Sequence, residues 1–410
     1  MGPINSGDTA WVLISTALVM LMTPGLALFY GGLVRRKNVL STIMHSFFVL
    51  ALVSVTWVLW GYSLAFGPDT GLGLIGGLDW VGLESVTGEP SDTYAPGIPH
   101  LAFMAFQMMF AIITPALITG AFAERKRFKA FVLFSVLWST LVYAPVAHWV
   151  WSPDGWLYGL GVLDFAGGTV VHLSSGVAAL VAALMVGRRL GLVRSATEPH
   201  DVPMTVLGAG LLWFGWFGFN AGSALGANGL AATALVTTNT AAAMAALTWV
   251  TLSWLHRGTP SVIGAVVGAV AGLVAITPAA GFVTPAAAIM IGFGVGIVCY
   301  GASLLRLRSR VDDALDVFAI HGVGGAFGAV ATGVFATVAV NEAGRDGLLA
   351  GNAGQVLVQA FGAGVVALYS ALATGIILLA VNVLVRIRVP GDAEEAGLDL
   401  AQHGEVAYQA

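Results

Sequence analysis

Two histidines lie within otherwise apolar stretches of the chain, and each follows an aspartate by eight positions. The segments are DFAGGTVVH, from Asp164 to His172, and DALDVFAIH, from Asp313 to His321. An imidazole exchanges protons near neutral pH, and each ring can donate from one nitrogen and accept at the other. Eight residues of helix separate each Asp from its His by about 12 Å, which is too far for the hydrogen bond of an acid–base pair. No nucleophile or metal-ligand cluster accompanies them, so the pattern argues against an intramembrane enzyme. It indicates instead histidines that exchange protons in an apolar setting.

The composition shows what that setting is. Among 410 residues there are 17 Lys and Arg and 21 Asp and Glu, or 9% charged residues, and 58% are hydrophobic. Soluble domains carry about 25% charged residues, so a soluble enzyme, a disordered scaffold and a nucleic-acid binder are all disfavoured. The single cysteine, Cys299, excludes an internal disulfide and a thiolate metal cluster. The chain is predicted to be an integral membrane protein.

Charged clusters and turn signals divide the chain into about eleven apolar stretches, each close to the roughly 20 residues that span a bilayer. These stretches are long and continuous, unlike the short alternating strands of a membrane β-barrel. The predicted fold is an all-α polytopic membrane protein with eleven transmembrane helices. The predicted spans are 9–33, 39–66, 98–122, 130–150, 164–187, 203–222, 231–255, 260–277, 284–305, 314–339 and 355–385.

The basic residues predict the orientation. With the N-terminus outside, Arg345 alone among the 17 basic residues lies outside, as the positive-inside bias requires. Loop 67–97, which contains five acids and no Lys or Arg, is then external. The remaining basic residues fall in inner loops: Arg35, Arg36, Lys37, Arg125, Lys126, Arg127, Lys129, Arg188, Arg189, Arg194, Arg257, Arg306, Arg308, Arg310, Arg386 and Arg388.

The two Asp-to-His segments indicate an inverted repeat. Asp164 lies at the outer start of the fifth span, whereas Asp313 lies at the inner start of the tenth. The two five-span halves therefore have opposite topology, as in transporters whose pathway lies at the repeat interface. Helices that enter from opposite faces bring His172 and His321 to a similar depth, where we expect them to meet. The alternative is two unrelated histidines, each bonded to the backbone or to a Ser or Thr.

These features predict the domain organisation. Residues 1–385 form the transmembrane domain, with repeat one at about 1–195, repeat two at about 200–340 and an extra helix at about 355–385. No basic residue precedes the first span, so we expect it to be retained as a helix rather than cleaved as a signal peptide. Residues 386–410 form a polar tail, expected to be cytoplasmic and partly flexible.

Six motifs, in order along nearly the whole chain, resemble the ammonium transporter family of the bacterial or archaeal type. The resemblance implies homotrimers of eleven-helix subunits, each with its own pore between the two repeats, in the cell inner membrane. The motifs are MTPGLALFYGGLVRRKN (22–38), AERKRF (123–128), DFAGGTVVH (164–172), WFGWFGFNAGS (213–223), DVFAIHGVGG (316–325) and GLDLAQHGEVAY (397–408).

The resemblance implies an outer ammonium site at Phe110 and Trp151, with Phe106 in its wall and Ser223 as a hydroxyl acceptor. The alternative for Trp151 is a residue of the interfacial aromatic belt. Asp164 is expected to hold the backbone of this site and to favour positive charge without touching the ion, and it also suits a helix N-cap.

Below that site, the resemblance implies a hydrophobic gate formed by Phe110 and Phe219. Aromatic residues at such spacing more commonly only fill a core. Asp313 and Asp316 are expected to cap and order helices on the inner side.

By the same resemblance, ammonium loses a proton near the gate and crosses as ammonia past His172 and His321. Whether the proton follows, giving electrogenic transport, or returns outside is left open. No cofactor and no metal is expected, and the substrate is ammonium or ammonia.

AERKRF and the tail, from Val389 to Tyr408, resemble the surfaces through which such transporters meet a PII-type regulatory protein. The alternative is ordinary positive-inside anchoring with a trimer-stabilising tail. An ammonium sensor, or a Rhesus-type channel for ammonia or carbon dioxide, remains an alternative on the same fold. A sensor is expected to append a signalling domain, whereas Trp151 and Ser223 favour recruitment of ammonium.

Overall fold

A computed structural model describes residues 3–191 and 199–408. Within these ranges ten helices are long and apolar enough to cross a bilayer, and an eleventh apolar helix, Val262–Ile276, is shorter. The chain is therefore a multi-pass membrane protein. In chain order the helices are α1 Ser6–Leu33, α2 Arg36–Phe66, α3 His100–Phe122, α4 Phe128–Leu160, α5 Gly168–Val186, α6 Val202–Ala224, α7 Gly229–Arg257, α8 Val262–Ile276, α9 Pro285–Arg308, α10 Phe318–Phe335 and α11 Gly354–Leu384.

Each predicted span coincides with one of these helices. The largest difference is at the end of α4, because the chain turns after Trp151 and adds a short helix, Trp156–Leu160. The brevity of α8 has a physical reason: every residue from Gly268 to Ile276 is buried in the protein, so this helix does not have to match the thickness of the lipid.

Polar side chains start several of the helices. Asn5 accepts hydrogen bonds from two backbone N–H groups at the start of α1. Asp201, Asn228 and Ser261 do the same for one N–H group each at the starts of α6, α7 and α8. These caps satisfy N–H groups that have no partner within the helix, which explains why polar residues border such apolar segments.

Successive helices run in opposite directions, so the two ends of the chain lie on opposite sides of the bundle. We call the side of residue 5 the N-terminal side and the side of residues 386–408 the tail side. On the N-terminal side, the connection between α2 and α3 contains a short antiparallel pair, β1 Pro90–Ser91 and β2 Ala95–Pro99. Arg194, one of the basic residues used to predict orientation, lies outside the described residues.

The helix packing has the symmetry of an inverted repeat. The first helices of the two halves, α1 and α6, pack along each other. The last helices of the two halves, α5 and α10, both begin with a π-helical turn, Gly168–Leu173 and Phe318–Gly322. Each π-helical turn contains the histidine of its repeat. Such turns are rare and often occur at functional sites.

Matched glycines let α5 and α10 approach closely. Gly176 follows His172 by four residues, and a Cβ there would overlap the backbone of Gly322. Gly325 follows His321 by four residues, and a Cβ there would lie 2.9 Å from the backbone nitrogen of Leu173. Each glycine thus faces the residue that follows the other histidine. Small residues at helix crossings are how membrane helices achieve such contact.

We predict that Gly176→Ala lowers the thermal unfolding temperature of the detergent-solubilised protein, because the added methyl group overpacks the crossing at a cost of about 1 to 3 kcal/mol. Gly364→Ala is the matched control, since Gly364 lies on α11 with nothing within 4 Å of its Cβ position. Equal unfolding temperatures for the two variants would contradict the close crossing.

Candidate functional site

Asp164 organises the loop that leads into α5. Its carboxylate accepts hydrogen bonds from the backbone N–H groups of Gly167 and Gly168, both at 2.7 Å, and of Thr169 and Val170, at 2.8 and 3.1 Å. The Thr169 hydroxyl also donates to it. Both expected roles are visible in the geometry: the side chain caps the helix and holds the backbone.

The carbonyl group of Asp164 fixes Trp151. The indole N–H of Trp151 donates to this oxygen at 2.9 Å. The neighbouring Trp149 is bonded instead to the carbonyl of Leu74, at 2.7 Å. Trp151 is thus attached to the loop before α5, which argues against a role only in an interfacial belt.

The aromatic residues of the expected outer site lie together. The Phe110 ring is 4.9 Å from Phe106 and 5.8 Å from Trp151, between centroids. Ser223 is half-buried, and its hydroxyl donates to the carbonyl of Phe219 at 2.8 Å, which leaves the lone pairs of the hydroxyl oxygen to accept. A Cβ on the adjacent Gly222 would lie 2.9 Å from the Phe106 ring, so the backbone next to Ser223 lies beside the same cluster.

Phe110 and Phe219 are in direct contact below this cluster. Their centroids are 4.3 Å apart at an interplanar angle of 39°, and both side chains are buried. These rings close the path between the outer cluster and the histidines, which is the arrangement expected of a gate.

His172 and His321 meet inside the bundle. The two Nδ1 atoms are 3.2 Å apart, and the rings are stacked with centroids 5.3 Å apart. At that separation one Nδ1 carries a proton and the other accepts it. This geometry confirms the predicted meeting and excludes two unrelated histidines. The buried Nε2 atom of His172 has no partner among the described residues.

The space beside the histidines is narrow and apolar. A cavity of about 10 Å³ lies between the Phe219 ring and the histidine pair. This volume holds about one water-sized molecule. Besides these rings, the wall consists of Met22, Leu26, Phe29, Ile113, Leu117, Leu212, Trp216 and Val270.

Trp216 also lines this narrow cavity, although its position in the sequence did not single it out. Its ring stacks on His172 at 5.2 Å, and its indole N–H donates to the Thr277 hydroxyl at 2.8 Å. Trp216 precedes Phe219 by three residues, so both lie on one face of α6. That spacing within WFGWFGF was the available signal.

Beyond His321 the path widens into a cavity of about 750 Å³ that extends toward the tail side. The histidine pair therefore separates a closed, ring-lined passage from a wide vestibule.

Residues 123–126, the first four of the AERKRF segment, are buried. Arg125 and Lys126 are both 0% exposed. The Arg125 guanidinium donates to backbone carbonyls, including that of Gly187 at 2.7 Å. The Glu124 carboxylate pairs with Arg35 at 2.8 Å and with Arg189 at 3.2 Å. The interpretation of this motif as a docking surface is therefore wrong for Glu124, Arg125 and Lys126. The contacts of these residues hold the helix connections of the tail side together.

Lys126 occupies an aromatic cage. Its ammonium group lies 3.8 Å from the Phe122 centroid and 4.0 Å from the Phe134 centroid. Burial lowers the pKa of Lys126 well below its usual value. Cation–π contact is the main compensation for the buried charge.

The tail is packed against the same connections. Residues 391–396 form a short helix, α12, whose Glu394 is buried and pairs with Arg388 at 2.8 Å. The Asp399 carboxylate accepts from the backbone of Leu40 and Ser41 at the start of α2. These buried carboxylates attach the tail to the rest of the protein, and its partial flexibility stays a prediction.

Asp313 and Asp316 order the start of α10. Asp313 accepts from the backbone N–H of Phe318 at 2.7 Å, and Asp316 pairs with Arg306 at 2.6 Å. Burial, and then the charge of Asp316, raise the pKa of Asp313 to about 6. The expected ordering role is visible in these contacts.

The raised pKa of Asp313 predicts a pH dependence of stability. An unfolded Asp has a pKa of about 3.9, so the folded protein holds this proton more tightly. The stabilising contribution is complete below about pH 4 and is lost as the pH rises through about 6. We expect Asp313→Asn to raise the unfolding temperature relative to the parent protein more at pH 7.5 than at pH 4.5.

The matched control is Asp392→Asn, which removes the same charge from an exposed position. A difference between Asp313→Asn and the parent protein that stays constant from pH 4.5 to 7.5 would contradict the shifted titration.

Comparison with known proteins agrees with this geometry. A model of the Ammonium Transporter Family matches residues 10–408. The ammonium transporter of Bacillus subtilis is 54% identical, over 99% of this chain and 99% of its own length. The Amt1 ammonium transporter of Archaeoglobus fulgidus is 50% identical, over 99% and 100%.

Solved structures show the same fold. The crystal structure of Saccharomyces cerevisiae Mep2 is similar with a TM-score of 0.91 and 39% identity, covering 99% of this chain and 92% of that one. A sensor Amt protein is similar with a TM-score of 0.88 and 31% identity, covering 97% and 98%. With a family match over almost its whole length and relatives that share half of its residues, the chain belongs to the ammonium transporter family.

Proposed function

We propose that the protein transports ammonium, recruiting the ion at the outer aromatic cluster and passing it as ammonia between Phe110, Phe219 and the paired histidines. The observation that carries the proposal is the unbroken series of ring contacts from Trp151 to His321. Transport is favoured over sensing, because relatives named as transporters reach 54% identity, whereas the sensor Amt structure is 31% identical.

Recruitment rests on Trp151, Phe110, Phe106 and Ser223. An ammonium ion carries a positive charge and four N–H donors, so aromatic faces and a hydroxyl oxygen suit it. A cation–π contact contributes about 0.5 to 2 kcal/mol, enough to concentrate the ion without trapping it. Asp164 acts as a positioning residue, because its carbonyl group holds the indole of Trp151.

The gate favours a neutral molecule. With Phe110 and Phe219 at 4.3 Å, the rings must move aside for each passage. A hydrated cation would lose its water in this apolar wall, at a high desolvation cost. Ammonia avoids most of that cost. Potassium has no proton to give up and so remains charged.

The paired histidines supply polar groups to the molecule that crosses the passage. The shared Nδ1 contact fixes both ring orientations. His172, whose Nε2 has no partner among the described residues, lines the narrow cavity. This nitrogen can exchange hydrogen bonds or a proton with the crossing molecule. The pair thus offers the polar groups that a narrow apolar passage otherwise lacks.

The location follows from the same argument. We place the protein in the plasma membrane, with the N-terminal side outside and the tail side in the cytoplasm. The support is the distribution of basic residues.

We further propose the division into two inverted repeats, an extra helix and a tail at the boundaries given above. We also propose assembly as a homotrimer in which each subunit has its own pore.

We expect His172→Asp and His321→Ala to change methylammonium uptake by reconstituted liposomes by about tenfold or more, or to admit potassium, with the fold intact. Loss of a positioned proton-exchanging group has effects of at least this order. The control is His200→Gln, because His200 contacts Val34 and Tyr408 on the tail side, outside the pore. Unaltered uptake and potassium exclusion in both pore variants would refute the paired-histidine mechanism.

The exposed part of the tail is the candidate contact for a PII-type regulator. Glu394 and Asp399 are buried, whereas Leu400 is 59% exposed. Deletion of residues 389–410 would remove the buried anchors as well as the surface. A substitution at Leu400 is therefore the cleaner test.

We predict that Leu400→Asp weakens binding of the host PII protein to the purified transporter, because a charge replaces an exposed apolar contact. Leu349→Asp is the control, since Leu349 is 71% exposed on the N-terminal side. Equal affinity of the parent protein and the Leu400 variant, measured by biolayer interferometry, would count against a role for this surface.

A further inference from the structure

Two buried glutamines lie on α11, the helix that follows the two repeats. Gln355 and Gln359 are 2% and 0% exposed, in a helix that contains no charged residue. Gln355, Gln359 and Gly362 are spaced by four and three positions, so they share one face of α11. Polar side chains inside a membrane bundle commonly form hydrogen bonds between helices. Neither glutamine lines the narrow cavity beside the histidines, so their role lies elsewhere.

The side-chain amide of Gln359 pairs with the backbone of Leu163. Its oxygen accepts from the Leu163 N–H at 2.7 Å, and its nitrogen donates to the Leu163 carbonyl at 2.7 Å. The same nitrogen also donates to the carbonyl of Ala329 on α10, at 3.1 Å. Because the two carbonyls only accept and the backbone N–H only donates, the amide fits in this one orientation. Gln359 thus joins α11 to α10 and to the loop that leads into α5.

Gln355 holds the same loop two residues earlier. Its amide nitrogen donates to the carbonyl of Gly161 at 2.8 Å and to the amide oxygen of Gln359 at 3.4 Å. Between these two contacts Val162 packs against Gly362, where a Cβ would lie 2.7 Å from the Val162 side chain. One face of α11 therefore fixes three consecutive residues of the loop.

The next residue in the loop is Asp164, which holds Trp151. The carbonyl that Gln359 binds belongs to the peptide unit between Leu163 and Asp164, and a peptide unit is planar and rigid. The carbonyl oxygen of Asp164 in turn accepts the indole N–H of Trp151 at 2.9 Å. A continuous series of hydrogen bonds and one short piece of backbone therefore connects Gln359 to the outer aromatic cluster.

We propose that Gln359, together with Gln355, is a positioning residue for the outer aromatic cluster. It fixes the backbone before Asp164 and thereby sets the place of the Trp151 indole. Gln359 acts through Trp151 and not on the ion, because its amide is buried and already bonded on every side. Its effect on transport rests on the proposed recruitment of ammonium at Trp151, whereas its effect on the indole can be measured without transport.

Fluorine NMR of the purified full-length protein, labelled with 5-fluorotryptophan, measures the surroundings of the indole directly. The chain contains twelve tryptophans, and the signal of Trp151 is the one that is lost in Trp151→Phe. We expect Gln359→Met to shift or broaden this signal, because the N–H and carbonyl groups of Leu163 lose their partners while the length of the side chain is kept.

Thr374→Val is the matched control. The Thr374 hydroxyl is buried on α11 and accepts the indole N–H of Trp138 at 3.0 Å. This substitution therefore breaks a buried hydrogen bond of the same helix, away from the loop. It should leave the Trp151 signal in its place. If Gln359→Met does not fold, Gln355→Met decides the question, because it removes the contact with Gly161 and should move the same signal by a smaller amount.

Methylammonium uptake by reconstituted liposomes measures the consequence for recruitment. We expect Gln359→Met to raise the half-saturation concentration by about fivefold, since a displaced indole weakens a cation–π contact. The maximal rate should stay within about twofold of the parent value, because the gate and the histidines are unchanged. Thr374→Val should keep the half-saturation concentration of the parent protein.

The inference is overturned if the Trp151 signal stays in place in the glutamine variants, or if it moves equally in Thr374→Val. A lower maximal rate with an unchanged half-saturation concentration also overturns it, since that result indicates general damage to the fold. A moved signal with both transport parameters unchanged supports the positioning of Trp151 and counts against recruitment of the ion there. If the parent protein takes up no methylammonium, the transport proposal fails, and the NMR result still decides the role of Gln359.

Discussion

The contact between Nδ1 of His172 and Nδ1 of His321 depends on two helices that enter from opposite sides and cross without side chains between them. Gly176 and Gly325 remove the obstacle at that crossing, and each faces the backbone beside the other histidine. In hydrocarbon, close packing and internal hydrogen bonds have to hold helices together, because the lipid offers no hydrophobic drive for their association. The same crossing places the His172 ring against the Phe219 ring.

Buried carboxylates order the structure at both ends of the path. At the outer end, Asp164 gathers backbone N–H groups and positions Trp151 through its carbonyl group. At the tail end, Glu124, Asp312 and Glu394 form ion pairs with arginines of the helix connections and the tail. The tail therefore forms part of the folded body.

Much of this architecture was predictable from the sequence, and the failures have identifiable causes. The spans and their number follow from hydropathy, since a bilayer demands long apolar segments. The meeting of His172 and His321 follows from matched spacing. Trp216 escaped notice because an aromatic residue in an apolar helix usually only fills the core. The family resemblance assigned Arg125 and Lys126 to a docking surface, whereas both are buried and are compensated by backbone carbonyls and aromatic faces.

The sequence by itself determined the membrane class, the eleven helices and the inverted repeat. Periodicity, hydropathy and the positions of charged residues are local properties, and they can be read from the sequence alone. Only the tertiary structure decided which rings touch and which arginines are paired. Those outcomes depend on distances between residues far apart in the chain, such as the 3.2 Å between histidines 149 positions apart. They arise from packing in three dimensions, and the order of residues along the chain does not specify such distances directly.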